Sequence, residues 1–151
     1  MNIVEINQKT IYGISVRTCN ADEMNPQTAR IGKTWEQFDK TVAVDYAGGE
    51  RVYGVYYHYA SDAKGDFDVM AGYEKENSAL ESIIIQSGNY LVFGAKAKTA
   101  DDDARVQAVM EAWKNVWEYF ANEQSEYKRA YKTDFEYYKN QTEIDVCISV
   151  L

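Results

Sequence analysis

Aromatic and apolar residues in the first half of this 151-residue chain recur in the second half at a nearly constant spacing of roughly 80 positions. The spacing holds across four successive segments, which chance matching of apolar residues would not produce. We therefore predict one domain, residues 1–151, that contains an internal repeat at about 2–75 and 82–151. The matched residues are Tyr12 with Tyr90, Trp35 with Trp113, Phe38 with Val116, Tyr57 with Tyr137, and Asp68-Val69 with Asp145-Val146.

Each repeat has the pattern of a strand, a helix and two further strands. Residues 2–18 predict a strand with a break near Asn7, and the runs 82–86 and 90–95 resume the strand pattern. Two hairpins are predicted, the first between 51–60 and 66–74 and the second between 131–138 and 143–150. The sequence thus predicts an α+β fold in which one antiparallel sheet is covered on one side by two long helices related by a pseudo-two-fold axis.

The first helix is predicted from the position of Pro26, the single proline of the chain, with Asn25 or Thr28 as candidate caps and a start near residue 28. Its apolar stripe recurs at the spacing of a helix. Gly48-Gly49 is expected to end it, because glycine tolerates a left-handed terminal residue. The stripe consists of Ile31, Trp35, Phe38 and Val42.

The second helix is predicted to begin near residue 102, where the acids Asp101, Asp102 and Asp103 favour a helix N-terminus. We interpret this triplet as capping rather than metal binding. One face of the helix is expected to be apolar and to pack against the core. That stripe comprises Val106, Val109, Met110, Trp113, Val116, Trp117 and Phe120.

The charge of the chain limits the partners that we expect. The chain has 16 Lys and Arg against 24 Asp and Glu, and a net charge of -8 repels phosphate backbones, so no direct nucleic-acid binding is predicted. No signal sequence or membrane-length apolar run is visible, which predicts no membrane association. Cys19 and Cys147 lack metal-site spacing, and Cys147 is expected to be a buried free thiol, which indicates the cytoplasm. With His58 as the single histidine, neither a metal nor another cofactor is predicted.

Glu136 is the residue that most strongly indicates a functional site. In a strand it shares one face with Tyr138, while its immediate neighbours point to the other face. The duplication is expected to place Tyr56 and His58 opposite these two residues. A carboxylate among rings is costly to ionise unless it is paired, and a cation that stacks on the rings would offset that cost. A solvated surface carboxylate is the alternative.

Further aromatic side chains are candidates for the walls of this site. Trp113, Trp117 and Met110 lie on the predicted core stripe, where structural packing is the favoured explanation, although a tryptophan also suits the wall of a cleft. Phe93 is a further candidate for the apolar lining of the site. The tyrosines between residues 53 and 59 are too many for one core face, which favours a partly wet pocket.

Several of these segments resemble the GyrI-like effector-binding domain, and in particular its stand-alone, integron-associated and AraC-type members. The resemblance covers nearly the whole chain. It implies a duplicated fold with a curved sheet, a pocket for lipophilic and often cationic drugs, and a buried glutamate whose place Glu136 takes. The resembling segments are Val52-Tyr-Gly-Val-Tyr-Tyr57, Ser61-Asp62, Gly65, Gly72, Trp35-Glu-Gln-Phe38, Asp134-Phe-Glu-Tyr-Tyr138 and Glu143-Ile-Asp-Val146.

The sequence leaves three functions open. The first is capture of a small hydrophobic or cationic molecule by Glu136 and the aromatic residues around it. The second is a hydrolase of cyclopropane-type electrophiles in which Glu136 acts as general base or acid. The third is a protein-binding inhibitor, for example of a gyrase, with an acidic surface that competes with DNA.

Overall fold

The computed structural model describes residues 2–151 as one eight-stranded antiparallel sheet with three helices. The strand break predicted near Asn7 and both predicted hairpins are present. The strands are β1 (Asn2–Ile6), β2 (Lys9–Thr18), β3 (Val52–Tyr57), β4 (Phe67–Tyr73), β5 (Glu81–Ile85), β6 (Gly88–Lys96), β7 (Asp134–Tyr138) and β8 (Glu143–Ser149), and the helices are α1 (Asn20–Glu23), α2 (Ile31–Thr41) and α3 (Asp102–Ala121).

The order of the strands is symmetric about the centre of the sheet. It runs β1-β6-β8-β7-β3-β4-β2-β5. If β1 is exchanged with β5, β2 with β6, β3 with β7 and β4 with β8, the same order results, read from the other end of the sheet. Each half receives one strand from the other, because β1 pairs with β6 and β5 pairs with β2. This symmetry supports the predicted duplication, which stays a prediction, and it makes β3 and β7 the central pair.

The two long helices pack on the same face of the sheet, which we call the helix face. α2 lies over β2 and β4, whereas α3 lies over β6 and β8. The central strands β3 and β7 therefore run beneath the space between the helices. The core on this face is built from apolar side chains of both helices and of the strands below them.

The predicted bounds of the first helix are wrong at both ends. α2 begins at Ile31 rather than near residue 28, because the side chain of Asn25 accepts a hydrogen bond from the Gln27 N–H (3.0 Å) in a preceding turn. The helix ends at Thr41, where the β-branched Val42 adopts an extended backbone. Gly49 lies in a separate turn with φ +99°, which favours glycine.

The start of α3 is confirmed. Asp101 caps the helix, since its carboxylate accepts a hydrogen bond from the Ala104 N–H at 2.8 Å. The predicted core stripe is partly wrong: Val106, Met110 and Trp117 are exposed. The small residues Ala108 and Ala112 face the sheet instead and let the helix approach closely, so the buried stripe is centred on them together with Val109, Trp113 and Val116.

The opposite face of the sheet, which we call the open face, has a core of its own. Ile11, Val55, Met70 and Ile85 on this face are fully buried although strands alone supply the cluster. The curvature of the sheet brings these strands together. The predicted buried free thiol is confirmed at Cys147, which belongs to this cluster.

The tyrosines of β3 are divided between the two faces. Tyr53 and Tyr57 pack on the open face and Tyr56 packs on the helix face. β7 begins at Asp134, three residues later than predicted, because Tyr131 has a left-handed backbone with φ +53° that cannot continue a strand. Across residues 2–151, none of the helices has the length and apolar character needed to cross a bilayer.

Candidate functional site

Glu136 lies on the helix face of β7, beneath the space between α2 and α3. Its side chain is 2% exposed, and β7 has buried residues on both of its faces. Phe135 and Tyr137 point to the open face, and Glu136 and Tyr138 share the opposite face, as predicted. This opposite face is the helix face. A carboxylate therefore lies in the interior of the protein at the central strand pair.

Three neutral side chains hold the Glu136 carboxylate by hydrogen bonds. The Tyr56 hydroxyl donates to Oε2 at 2.7 Å, and the indole Nε1–H of Trp113 donates to the same oxygen at 2.8 Å. The Tyr138 hydroxyl donates to Oε1 at 2.9 Å. These donors come from β3, α3 and β7, so the carboxylate joins the two halves of the chain and one of the long helices.

Burial raises the pKa of Glu136 above its usual value. The hydrogen bonds from Trp113, Tyr56 and Tyr138 act in the opposite direction, because they stabilise the ionised form, but they do not cancel the effect of burial. Burial also raises the pKa of Tyr56 and of Tyr138 well above the usual value, and the neighbouring carboxylate adds to this. The two phenols therefore remain protonated donors.

Gly54 makes room for this carboxylate. It is the register partner of Glu136 on β3. A Cβ atom at Gly54 would lie 2.7 Å from Oε1 of Glu136, closer than Cβ atoms normally approach, and at a tight 3.2 Å from Cζ2 of Trp35. The glycine within the tyrosine-rich strand is thus explained by the approach of Glu136 and of a tryptophan from α2.

Aromatic rings surround the carboxylate on two sides. The ring centroid of Tyr56 lies 4.8 Å from that of Trp113, and the centroid of Tyr138 lies 5.4 Å from that of Trp35. Each long helix thus supplies one tryptophan. Tilted and edge-on contacts of this kind are geometries that aromatic pairs favour.

A second buried carboxylate, which the sequence analysis missed, lies two residues before Glu136. Asp134 has no exposed surface. Its Oδ2 accepts hydrogen bonds from the Tyr59 hydroxyl at 2.5 Å and from a guanidinium N–H of Arg129 at 2.9 Å. Its Oδ1 accepts from the backbone N–H and the hydroxyl of Ser149 at 2.8 and 3.1 Å.

The Arg129 guanidinium is stacked among three rings. It lies 4.5 Å from the ring centroid of Tyr131, 5.4 Å from that of Tyr59 and 5.8 Å from that of Trp113. Its buried Nε is without a hydrogen-bond partner among the described residues. Trp113 thus contacts a protein cation with its ring and binds Glu136 with its Nε1–H.

The structure brings some of the predicted site residues together and separates others. Tyr56, Trp113 and Tyr138 all bind Glu136 directly. Trp117 is 37% exposed, with its ring centroid 6.4 Å from that of Trp113, and Met110 is 57% exposed on α3. Phe93 packs against Tyr119 and Phe120 instead.

The predicted partners across the strand pair are wrong. Gly54 lies opposite Glu136, and Asp134 lies opposite Tyr56. Tyr56 therefore reaches Glu136 diagonally across the strand pair. Matching the predicted repeats residue by residue did not give the register of β3 and β7. His58 lies outside the site, where its exposed ring contacts Asp68 at 2.8 Å.

The comparisons with known proteins agree with this fold. The model of the integron-associated effector binding protein family matches residues 2–150. The crystal structure of the integron cassette protein VCH_CASS2, from the mobile metagenome of Vibrio cholerae, is 39% identical, with a TM-score of 0.84 over 99% of this chain and 95% of that chain.

Two more distant structures share the fold. A Staphylococcus aureus protein assigned to transcription regulation is 16% identical, with a TM-score of 0.67 over 99% of this chain and 96% of that chain. The structure of SAV2435 bound to tetraphenylphosphonium is 18% identical, with a TM-score of 0.58 over 98% and 93%. No curated protein matches the chain. The family match covers nearly every residue and supports the binding of a small-molecule effector; the chain belongs to the integron-associated effector-binding proteins.

Proposed function

We propose that this protein binds a lipophilic cation and that Glu136 supplies the counter-charge. The observation that carries the proposal is a carboxylate that is 2% exposed, with a raised pKa and with neutral aromatic groups as its three donors. Ionising such a group is unfavourable without a cation. A ligand cation would supply the missing charge, and the rings would contact its apolar surface.

The place of the ligand follows from the two long helices. Trp35 of α2 and Trp113 of α3 flank the carboxylate, and we assign the ligand to the space between them, above β3 and β7. Met110 and Trp117 expose apolar surface on α3 one turn before and one turn after Trp113. Exposed apolar side chains beside a buried carboxylate suit a large, lipophilic cation.

Entry of a ligand requires a rearrangement at the carboxylate. Both oxygens of Glu136 already accept hydrogen bonds. Tyr138 is the donor with partial exposure, and it alone binds Oε1, so its rotation would free one oxygen without disturbing Tyr56 or Trp113. The tetraphenylphosphonium bound to SAV2435 is a lipophilic cation, which supports the proposed class of ligand.

Calorimetry with a matched pair of ligands tests the proposal. Tetraphenylphosphonium is the cation, and triphenylphosphine oxide is a neutral molecule with a similar aromatic surface. Glu136→Gln keeps the shape of the side chain and removes its charge. We expect the variant to lose about tenfold or more in affinity for the cation, ~1.4 kcal/mol, and much less for the neutral compound. Equal losses for both ligands would assign the effect to packing and contradict the proposal.

A second function is favoured by one observation, the raised pKa of Glu136. A carboxylate with a raised pKa is a stronger base, better suited to take a proton from water that attacks a cyclopropane-type electrophile. As the ring C–C bond breaks, the same proton would pass to the carbon that leaves. Incubation with such an electrophile and mass spectrometry of the products would detect turnover. Ring-opened product beyond the buffer control, abolished by Glu136→Gln, is the expected result for an enzyme; its absence removes this function for that substrate class.

A further inference from the structure

A cavity on the open face of the sheet lies apart from Glu136. It has a volume of about 470 Å³, within the range of small-molecule sites. Phe135 and Tyr137 line it, and because neighbouring strand residues point to opposite faces, the sheet separates the cavity from Glu136. A ligand bound in this cavity therefore occupies the face opposite to the proposed cation site.

The floor and the wall of this cavity are apolar. Phe135 and Cys147 form the floor and are 3% and 4% exposed. Val4, Ile6 and Val92 line the wall and are only partly buried, so hydrocarbon surface is still available to a ligand. Covering this surface is favourable and does not require the core of the open face to separate.

Aromatic rings stand beside the floor. Tyr53 and Tyr137 both line the cavity, with ring centroids 5.0 Å apart and ring planes tilted by 41°. The centroid of Phe135 lies 6.1 Å from that of Tyr53. Rings of this kind attract a further ring through edge and offset contacts. The lining therefore favours an aromatic ligand over a flexible hydrocarbon chain.

The ionisable groups of the lining that are not in ion pairs carry no charge. Burial raises the pKa of the Cys147 thiol to about 12. Burial, together with the hydrogen bond to the Glu74 carboxylate, raises the pKa of Tyr53 above its usual value. The thiol and the phenol therefore stay protonated near neutral pH, and neither offers a charge to a ligand.

The charged side chains at the rim of the cavity neutralise each other in pairs. Lys9 Nζ lies 3.5 Å from Oε1 of Glu74, and Lys139 Nζ lies 3.1 Å from Oδ2 of Asp145. A ligand ion that replaced one member of a pair would gain one ionic contact and break another. It would also lose hydration against the apolar floor, which a neutral molecule does not. The rim therefore gives an ion of either sign no net advantage.

We infer that this cavity is a second ligand site, specific for a small neutral aromatic molecule. The ring of the ligand packs against Tyr53 and Tyr137 and covers Val92. The inference does not depend on the function proposed for Glu136, because the three side chains that bind its carboxylate do not line this cavity. The two faces of the sheet differ in charge, and we expect them to select ligands of different charge.

Three quinolines of similar shape test this selection on the whole protein. 4-Methylquinoline is neutral at mildly alkaline pH, N-methylquinolinium carries a permanent positive charge, and quinoline-4-carboxylate carries a negative charge. Chemical-shift changes at Val92 and Cys147 report binding in the cavity. We expect the neutral compound to bind there about tenfold more tightly than either ion. Equal or tighter binding of an ion at these residues would overturn the inference, and so would the absence of saturable binding of 4-methylquinoline.

A variant at the rim tests the reason for the selection. Lys139→Gln leaves Asp145 without its ionic partner, so we expect N-methylquinolinium to bind in the cavity about threefold more tightly while 4-methylquinoline is unchanged. Lys114→Gln removes the same charge from an exposed position of α3, on the other face of the sheet, and should change neither affinity. An unaltered preference in Lys139→Gln would show that the ion pairs do not set the selection, against the inference.

A substitution in the wall locates the site. Val92→Ala removes hydrocarbon from the lining and should weaken 4-methylquinoline several-fold. Val106→Ala, the same substitution at an exposed position of α3, should leave its affinity unchanged. If the Val92 variant bound as tightly as the wild type, the molecule would not lie in this cavity and the inference would be wrong. Shifts of Trp113 report the site at Glu136 separately, so either proposal can fail without the other.

Discussion

β7 holds two buried carboxylates on one face, two residues apart, and they are stabilised in different ways. Asp134 has no exposed surface and Glu136 is 2% exposed. Asp134 binds the Arg129 guanidinium at 2.9 Å and accepts three further hydrogen bonds. Glu136 accepts three hydrogen bonds from phenol and indole groups, which carry no charge.

The difference indicates separate roles for the two acids. The charge of Asp134 is compensated within the fold, because Arg129 is held there by the carboxylate and by the rings of Tyr59, Trp113 and Tyr131. The charge of Glu136 has no such compensation in the described part of the chain. The proposed cation would therefore bind at Glu136, whereas at Asp134 it would have to displace the protein's own guanidinium.

The largest expected effect is on folding stability, from Asp134→Asn. The substitution leaves a guanidinium that is 5% exposed without its counter-charge and places amide hydrogens against the donors of Tyr59 and Arg129. We expect the free energy of unfolding to fall by about 3–5 kcal/mol. Denaturation in urea measures it.

Glu136→Gln is the matched control for this prediction. The amide oxygen still accepts from Tyr56 and Trp113, and the Tyr138 hydroxyl can rotate to accept from the amide nitrogen. We expect a change within about 1 kcal/mol. If both variants lost the same stability, the proposed division between a structural acid and a ligand-binding acid would be wrong.

A smaller effect is expected from Gly54→Ala, which tests how Glu136 is accommodated. The new Cβ atom would lie 2.7 Å from Oε1 of Glu136, and the carboxylate or the strand must shift. We expect a loss of about 1–3 kcal/mol in unfolding free energy, together with weaker binding of tetraphenylphosphonium. Denaturation in urea and calorimetry measure the two effects.

Gly94→Ala is the control, because Gly94 also lies in a strand and a Cβ atom there meets nothing within 4 Å. It should be neutral or slightly stabilising, since alanine restricts the unfolded chain. A Gly54 variant that behaves like the Gly94 variant would show that the close approach to Glu136 carries no cost.

Much of the fold could be predicted from the sequence, because the sequence signals that specify its strands, turns and helix start are local. Strand alternation, turn glycines and the Asp101 cap are short-range signals, and the antiparallel α+β fold predicted from them is confirmed. The burial of the α3 stripe was harder to predict, because Ala108 and Ala112 decide how the helix rotates and neither is strongly apolar. Periodicity alone does not distinguish a stripe centred on alanine from one centred on methionine.

The candidate site was predictable around Glu136 and not around Asp134. An acid among tyrosines is visible in the sequence, and Tyr56, Trp113 and Tyr138 do contact it. Arg129 lies in the irregular segment before β7, where a basic residue resembles any exposed charge. Its burial depends on Tyr59, far away in the sequence, and on the left-handed backbone of Tyr131, and no local pattern specifies either.

The smallest expected effects are those of pH, and they concern Glu136. Because burial raises its pKa in the folded protein, the protonated carboxyl is favoured by folding. Its contribution to stability is fully present below the unfolded pKa and is lost as pH rises through the folded pKa. The unfolding free energy of the wild type should therefore fall relative to that of Glu136→Gln as pH rises, by at most about 1.4 kcal/mol per pH unit. Urea denaturation at a series of pH values measures it.

The same ionisation should couple cation binding to proton release. A cation favours the ionised carboxylate, so below the folded pKa of Glu136 each bound tetraphenylphosphonium should displace up to one proton, and the affinity should rise with pH. Calorimetry in two buffers with different ionisation enthalpies counts the protons, and Glu136→Gln should release none. Binding of the neutral triphenylphosphine oxide leaves the carboxyl protonated and should be independent of pH in both proteins. A pH-independent affinity of the wild type for the cation, with no proton released at any pH, would mean that the carboxylate is already ionised without a ligand. In that case the neutral donors alone would suffice to stabilise its charge, and the contrast with Asp134 would no longer identify the ligand site.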